Sequence, residues 1–282
     1  LVIKLNIINK MERKSFKTLI TSFFVIFLTT VQAQISKTFD PIDIFEIEYV
    51  SDPQISPRGN KVLYQRNFKD IMTDQNLSNI WIVNFDGSAS RPVTTGNKND
   101  FSPRWSNSGE KFIYKSNVDG SIQLYLHDIN TNSTQKLTNM QSSIGNVIWS
   151  EDDRYLLFTS FVEKTDNKLI KMPKKPKGAN WNEPPIEIED MVYKYDGGGF
   201  RRAGSTQIFI LSSEGGTPRQ VSELNNNIRS IEWINNEKVL FSANLSENSD
   251  FEPKNSDVYS LDLQSGEIKK LTDRFGPDYA PK

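Results

Sequence analysis

The chain of 282 residues contains no cysteine and one histidine. Without cysteine it forms no disulfide and offers no thiolate to a metal ion, and a zinc site with several histidine ligands is also excluded. No Gly-x-Ser-x-Gly pentapeptide occurs, so the strained turn that presents the nucleophile of a serine hydrolase is missing. The sequence therefore predicts no catalytic residue, no metal site and no cofactor within this chain.

A strong charge of one sign is lacking as well. The chain has 34 Lys and Arg against 35 Asp and Glu, a formal net charge of −1. Residues 1–33 hold five positive charges and one negative, which leaves 29 positive and 34 negative charges, or −5, for the remainder. A mildly acidic domain is a poor candidate for nucleic-acid binding.

The first 33 residues have the layout of a leader. Residues 1–10 precede the first methionine and are interpreted as an upstream translated segment. Residues 11–33 are interpreted as a signal peptide, because a positive region is followed by an apolar one and by Val-Gln-Ala before Gln34. We therefore expect an exported protein, periplasmic or secreted, with no membrane attachment after cleavage.

A membrane anchor is the alternative for this leader. The apolar region spans 19–31 and includes four Ser or Thr residues. As a helix, it rises only about 20 Å. Since the hydrocarbon core of a bilayer is about 30 Å thick, cleavage and export are favoured.

Three landmark residues recur along the chain in a fixed order. An apolar residue before a turn falls at Ile55, Trp105, Trp149 and Trp233. An aromatic residue falls at Trp81, Tyr125, Phe209 and Tyr259. A hydroxyl residue falls at Thr94, Thr138, Ser222 and Thr272. Successive copies of a landmark lie 44 or 50 residues apart, except for one step of 84 residues. The long step lies between the third and fourth copies of the apolar landmark, and between the second and third copies of the other two landmarks. One insertion in the third copy, after its apolar landmark and before its aromatic one, explains both.

A repeat of about 44 residues with roughly four short strands is typical of β-propeller blades. The sequence therefore predicts an all-β protein with about four blades of four-stranded antiparallel sheet in an incomplete, open ring. An ordinary β-sandwich with chance similarity between its parts is the alternative. The predicted segments are a linker with a short helix at 34–51 and a partial propeller at 52–282, with blades at 52–94, 101–138, 145–222 and 228–272 and the start of a fifth at 276–282.

The third blade contains a predicted hairpin insertion at 163–205. Departures from a repeat usually map to loops on one face, and such loops often carry function. The insertion has aromatic, basic and acidic residues, so Arg201, Arg202 and Glu189 are candidate substrate-binding residues. A surface hairpin without a role is the alternative.

His127 is the only candidate for a general base. The repeat aligns it with Val83, Leu211 and Leu261, which favours a blade-packing or surface residue. Glu151, Asp152 and Asp153 lie in a predicted turn, where solvation rather than calcium binding is expected.

Several segments resemble the N-terminal propeller of the prolyl oligopeptidase family of serine peptidases, in its acylaminoacyl-peptidase and bacterial dipeptidyl-peptidase branch. They are the Asp-Pro helix start at 40–41, Val-Ser-Asp-Pro-Gln-Ile-Ser-Pro-Arg-Gly at 50–59, Pro-Arg-Trp-Ser at 103–106, and the insertion segments 177–181, 184–185, 192–193 and 196–200. The resemblance covers about 40–282. The repeat motif alone is shared with non-enzymatic TolB-like propellers, whereas the insertion is more specific.

The resemblance implies a propeller of seven or eight blades that caps an α/β-hydrolase domain bearing Ser, Asp and His. This chain departs from the pattern by lacking that domain, so no catalytic residue is carried over and the chain alone is expected to be inactive. The implied function is the propeller of an exported serine exopeptidase or oligopeptidase, which gates and orients short peptides for a C-terminal hydrolase domain. A periplasmic TolB-like propeller that acts as a protein-binding scaffold is the alternative.

Overall fold

The computed structural model describes residues 38–164, 173–182, 188 and 191–282. The chain divides into two compact units, 1–44 and 45–282. A short 3-10 helix, Pro41–Glu46, begins in the first unit, where the Asp40 carboxylate accepts a hydrogen bond of 3.2 Å from the Ile42 N–H. The predicted upstream segment and signal peptide lie outside the described residues. No helix in the described ranges is long and apolar enough to cross a membrane.

The first two sheets follow each other along the chain. The first sheet contains β1 Tyr49–Ile55, β2 Lys61–Asp70, β3 Gln75–Asn84 and β4 Arg91–Pro92, in that order. The second sheet contains β5 Asp100–Trp105, β6 Lys111–Ser116, β7 Gln123–Asp128 and β8 Ser133–Lys136, in that order. All neighbouring strands pair antiparallel.

The third sheet is interrupted by a small hairpin. The sheet contains β9 Ile144–Trp149, β10 Tyr155–Glu163, β13 Gly204–Ser212 and β14 Arg219–Gln220. The hairpin between β10 and β13 consists of β11 Lys194–Tyr195 and β12 Gly199–Phe200. The fourth sheet contains β15 Ile228–Asn235, β16 Lys238–Ala243, β17 Asp257–Asp262 and β18 Ile268–Lys270.

The first strand of each sheet lies at its inner edge. Strand β1 contacts β5, and β9 contacts β15, so first strands of successive sheets adjoin. The fourth strands form the opposite edge and are largely exposed. This is the layout of propeller blades, and we call the surface formed by β1, β5, β9 and β15 the inner wall.

The recurring aromatic residue belongs to a cross-strand pair within each sheet. Each one lies directly opposite an aromatic residue of the second strand and stacks on it with ring centroids 5.3 to 6.3 Å apart. The pairs are Tyr64 with Trp81, Tyr114 with Tyr125, Phe158 with Phe209, and Phe241 with Tyr259. Offset-stacked pairs at this distance stabilise a sheet beyond the area they bury, which explains the aromatic landmark.

The recurring hydroxyl residue closes each sheet. In every copy its side-chain oxygen accepts a hydrogen bond of 2.8 to 3.0 Å from a backbone N–H of the third strand, 14 residues earlier. The four donors are Ile80, Leu124, Ile208 and Val258. The hydroxyl thus satisfies a ladder donor where the short fourth strand does not reach.

The recurring tryptophan ties a sheet to the one before it. The indole N–H of Trp105 donates to the carbonyl of Gln54 at 2.9 Å, and that of Trp149 donates to the carbonyl of Arg104 at 3.1 Å. The indole N–H of Trp233 is buried and has no partner among the described residues. The repeated interaction therefore links the first three sheets and is missing between the third and fourth.

Three hydrophobic clusters fill the spaces between consecutive sheets. Phe112 and Leu63 belong to the cluster between the first and second sheets, Ile113 and Phe158 to that between the second and third, and Phe241 and Leu157 to that between the third and fourth. In the described part of the chain, no such cluster joins the fourth sheet to the first. Four antiparallel blades in an open arrangement are therefore confirmed, and the β-sandwich alternative is wrong.

Residues 276–282 share backbone features with the start of the first and second sheets. Asp52, Ser102 and Ala280 each precede a proline and have φ values of 47°, 53° and 50°. Ser78 donates to the Asp100 carbonyl and Ser256 to the Asp278 carbonyl, both at 3.0 Å. The start of a fifth blade stays a prediction that this geometry favours.

Candidate functional site

An ion pair links neighbouring strands on the inner wall. Arg104 of β5 donates to the carboxylate of Asp52 in β1 at 2.7 Å, and both side chains are partly exposed, 38% and 27%. The same nitrogen of Arg104 donates to the carbonyl of Pro103. β-bulges in β1 and β5, at the positive-φ residues Asp52 and Ser102, set the direction of these side chains.

Lys115 extends this charged group toward the third sheet. Its ammonium donates to the carbonyl of Gly145 in β9 at 2.9 Å and lies 5.4 Å from the ring centroid of Phe101. Burial lowers the pKa of Lys115 and the nearby Arg104 lowers it further, whereas Asp52 opposes the shift. Asp52, Arg104 and Lys115, which we call the inner-wall triad, carry two positive charges and one negative and connect the first two sheets to the third through the bond to Gly145.

The inserted hairpin carries exposed aromatic residues. Gly197 and Gly199 adopt φ values of 76° and 72°, which glycine tolerates at no steric cost, and so form the tight turn between β11 and β12. Tyr193 stacks on Phe200 at 6.3 Å. In the described part of the insertion, the large side chains with 44% to 56% exposure are Trp181, Ile188, Met191, Tyr193, Tyr195 and Phe200. Such a group is typical of a contact surface.

The candidate residues of the hairpin lie near its base. Arg201 donates to the carbonyl of Val192 at 3.1 Å. Arg202 forms an exposed ion pair of 3.2 Å with Glu163 and lies over the ring of Phe161. Arg201 thus connects two parts of the insertion and Arg202 connects the insertion to β10, and a substrate-binding role for them stays a prediction. Glu189 lies outside the described residues.

His127 is buried in the second sheet. The residue is 2% exposed, its Nδ1 lies 2.9 Å from the Thr134 hydroxyl, and its ring contacts Phe112. Its Nε2 has no hydrogen-bond partner among the described residues. Burial lowers its pKa, Arg91 lowers it further, and Asp128 opposes the shift. The neutral imidazole is therefore a packing residue, as its place in the repeat predicts.

Acidification is expected to destabilise the protein through His127. Because the folded pKa is below the unfolded value of about 6.5, the unfolded state binds more protons as the pH falls below that value. The contribution of His127 to the free energy of unfolding should therefore be fully present above pH ~6.5. Below that pH it should decline by up to about 1.4 kcal/mol per pH unit until the folded pKa is reached. Urea unfolding at pH 7.5 and 5.5 measures the loss. The variant His127→Leu has the leucine that two other blades carry at this position, Leu211 and Leu261, and should lose less stability between the two pH values. An equal loss in wild type and variant would contradict a lowered pKa of His127.

The acidic turn at 151–153 joins the second and third sheets. Asp153 accepts hydrogen bonds from the backbone N–H groups of Asn107 at 2.6 Å and Ser108 at 2.8 Å. Hydrogen bonds from Ser150 and Arg154 lower the pKa of Asp152 to about 2. Both carboxylates thus have protein partners. In the described ranges no group of three or more acidic or histidine side chains could hold a metal ion.

The inner-wall triad was not predicted from the sequence, although two of its members lie in the recognised motifs Ser-Asp-Pro-Gln and Ser-Pro-Arg-Trp. The repeat contains a signal for the pair Asp52 and Arg104, because both motifs lie at the start of a blade and therefore on neighbouring first strands. The sequence identified the hairpin instead, because it breaks the repeat.

No protein-family model matches the chain. The chain is 30% identical over 221 residues to the uncharacterized peptidase YuxL of Bacillus subtilis, which corresponds to 78% of this chain and 33% of that protein. It is 25% identical over 169 residues to dipeptidyl-peptidase 5 of Porphyromonas endodontalis, which corresponds to 59% of this chain and 23% of that protein. The chain thus spans a third or less of these curated relatives.

The fold matches that of a solved peptidase. An acylaminoacyl peptidase in complex with Z-Gly-Gly-Phe-chloromethyl ketone superimposes with a TM-score of 0.64 and 20% identity, over 84% of this chain and 34% of that protein. A TolB-type protein of Agrobacterium tumefaciens is a weaker match, with a TM-score of 0.46 and 17% identity, over 81% of this chain and 82% of that protein.

Proposed function

Because the chain belongs to the prolyl oligopeptidase family of serine peptidases, as an N-terminal propeller region, we propose that the complete protein is an exported serine exopeptidase or oligopeptidase that acts on short peptides. The observation that carries this proposal is the 30% identity to a peptidase over 78% of the chain. In this proposal the propeller gates and orients peptides for a C-terminal hydrolase domain that is not part of this chain.

Two features of the chain support a catalytic domain outside it. The chain has no Gly-x-Ser-x-Gly pentapeptide, and its only histidine is buried in a sheet with Nδ1 bonded to a threonine. A serine nucleophile needs a base within hydrogen-bond reach, and His127 cannot supply it from that position. The aligned regions make up only 33% and 23% of the two relatives, which leaves room in each for a hydrolase domain.

The gating role is supported by the polarity of the inner wall. The triad places Asp52 and Arg104 on the first strands of two sheets and the Lys115 ammonium against the first strand of the third, where a peptide that enters along the wall would meet them. Export is supported by the leader pattern at 11–33. The scaffold alternative has the weaker structural match and no observation that favours it over the peptidase.

The proposal is tested with the complete gene product and chromogenic dipeptidyl and acyl-aminoacyl anilides. The protein should release the chromophore, and a serine-directed fluorophosphonate should abolish the release. The activity should be found in the exported fraction of the cells, and a folded protein such as serum albumin should resist cleavage because the propeller excludes it.

Each part of this proposal has its own contradictory result. No hydrolysis of any short peptide contradicts the peptidase function and favours the scaffold. Activity confined to the cytoplasm contradicts export alone. Rapid cleavage of folded serum albumin contradicts gating alone.

A further inference from the structure

The inner-wall triad has an excess of one positive charge. Asp52 is engaged by Arg104, and in the part of the chain that the structure describes Lys115 forms no ion pair. The ammonium of Lys115 has three donors, of which the Gly145 carbonyl takes one, while the Phe101 ring covers one side. The triad therefore contains two cations and one carboxylate, and both cations have N–H donors to which no acceptor is assigned among the described residues.

The excess positive charge is on side chains that are partly removed from water, where an unpaired charge is unfavourable. Both Lys115 and Arg104 are partly buried, and the pKa of Lys115 is lowered chiefly by burial and then by Arg104. Partly buried cations are usually paired with anions. Lys111, which is also partly buried and lies on the same strand as Lys115, has a carboxylate partner in Glu214 at 3.3 Å. The triad therefore lacks one negative charge that its surroundings favour.

We propose that Arg104 and Lys115 bind a carboxylate group of a short peptide on the inner wall. This inference rests on the proposed function, since it is peptides that the propeller is proposed to receive. The two oxygens of one carboxylate can accept charge-assisted hydrogen bonds from a guanidinium and from an ammonium at the same time. A single negative charge also balances the triad, whereas a phosphate dianion would leave it negative.

The apolar neighbour and the position of the triad agree with a peptide chain end. Phe101 lies beside Lys115 and offers an aromatic surface to a side chain next to the bound carboxylate. Asp52 and Arg104 are on first strands with partly exposed side chains, and the Lys115 ammonium contacts Gly145 on the next first strand, so the charged groups of the triad lie at the inner wall. The carboxylate could be the C-terminus or an acidic side chain of the peptide, and both present the same chemistry.

Four matched peptides distinguish these sources. A pentapeptide with a free C-terminus is compared with its C-terminal amide, and each is made with Glu or Gln at the penultimate position. With the complete gene product, KM for a peptide carrying the bound carboxylate should be about tenfold below that of the peptide lacking it, as the loss of a charge-assisted hydrogen bond implies.

The variant Lys115→Met should raise the KM of the carboxylate peptide about tenfold and leave that of the matched neutral peptide unchanged. Lys115→Arg, which keeps the charge, should retain most of the preference. Lys136→Met is the matched control, because Lys136 has a carboxylate partner, Asp119, and lies on the outer strand β8. It should leave all four KM values unchanged. Thermal unfolding verifies that each variant is folded.

Calorimetric titration of the same peptides separates this inference from the proposed function. If no peptide is hydrolysed but the carboxylate form binds more tightly than the neutral form and loses that advantage in Lys115→Met, the carboxylate site stands and the peptidase function fails. If peptides are hydrolysed with equal KM for acid and neutral forms, the carboxylate site is wrong and the peptidase function stands. If peptides neither bind nor react, both fail.

Discussion

Phe241→Ala is expected to lower the free energy of unfolding by about 3–5 kcal/mol. Phe241 is 0% exposed, stacks on Tyr259 at 5.3 Å and lies in the cluster between the third and fourth sheets. Its removal deletes a cross-strand pair and leaves a cavity that closely packed strands cannot close. Urea unfolding followed by tryptophan fluorescence measures the loss.

Phe85→Ala is the matched control for this prediction. Phe85 follows β3 and is 66% exposed, so the same change in composition should alter stability by less than about 0.5 kcal/mol. An equal effect of the two substitutions would show that Phe241 is not packed between sheets.

Gln207→Leu is expected to lower the free energy of unfolding by about 2–3 kcal/mol, because it leaves buried polar groups without hydrogen-bond partners. The Gln207 side chain is 2% exposed; its amide nitrogen donates to Ser205 and to the Leu224 carbonyl, both at 2.7 Å, and its oxygen accepts from Ser222 and the Leu224 N–H. Leucine has a similar volume and makes none of these bonds. Thus the Leu224 N–H and the Ser222 hydroxyl lose an acceptor in a site closed to water.

Two further positions test the reason for this cost. Gln123 makes the same four kinds of hydrogen bond in the second sheet, so Gln123→Leu should cost about as much. Asn79 occupies this position in the first sheet but is only partly buried, and Asn79→Leu should cost less than about 1 kcal/mol. Equal stability of wild type and Gln207→Leu in urea would contradict the assigned network.

Much of the fold was predictable because the repeat records interactions within one sheet. Except in the third sheet, where the insertion intervenes, the stacked aromatic residues are separated by short stretches of chain. The hydroxyl contact spans 14 residues in all four copies. A polar residue 15 positions before the hydroxyl, Gln123 or Gln207, has the same register and bonds to that hydroxyl. Chain-local contacts of this kind leave a periodic signal.

The candidate site could not be predicted in the same way. Asp52 and Arg104 are 52 residues apart, and Lys115 reaches a carbonyl 30 residues away on the next sheet. Each side chain by itself is an ordinary charged residue in a strand. Their meeting depends on the bulges that turn the first strands and on the closeness of successive sheets.

The sequence by itself determined that each antiparallel sheet has about four short strands and where its recurring aromatic and hydroxyl residues lie, because these depend on alternation and turns within about 44 residues. Only the tertiary structure decided which charged side chains share the inner wall, that Trp233 lacks the partner that Trp105 and Trp149 have, and that Lys115 has no counter-ion among the described residues. Those outcomes depend on how one sheet is placed against the next, and a repeat in the sequence does not encode the small rotations and bulges that set that placement.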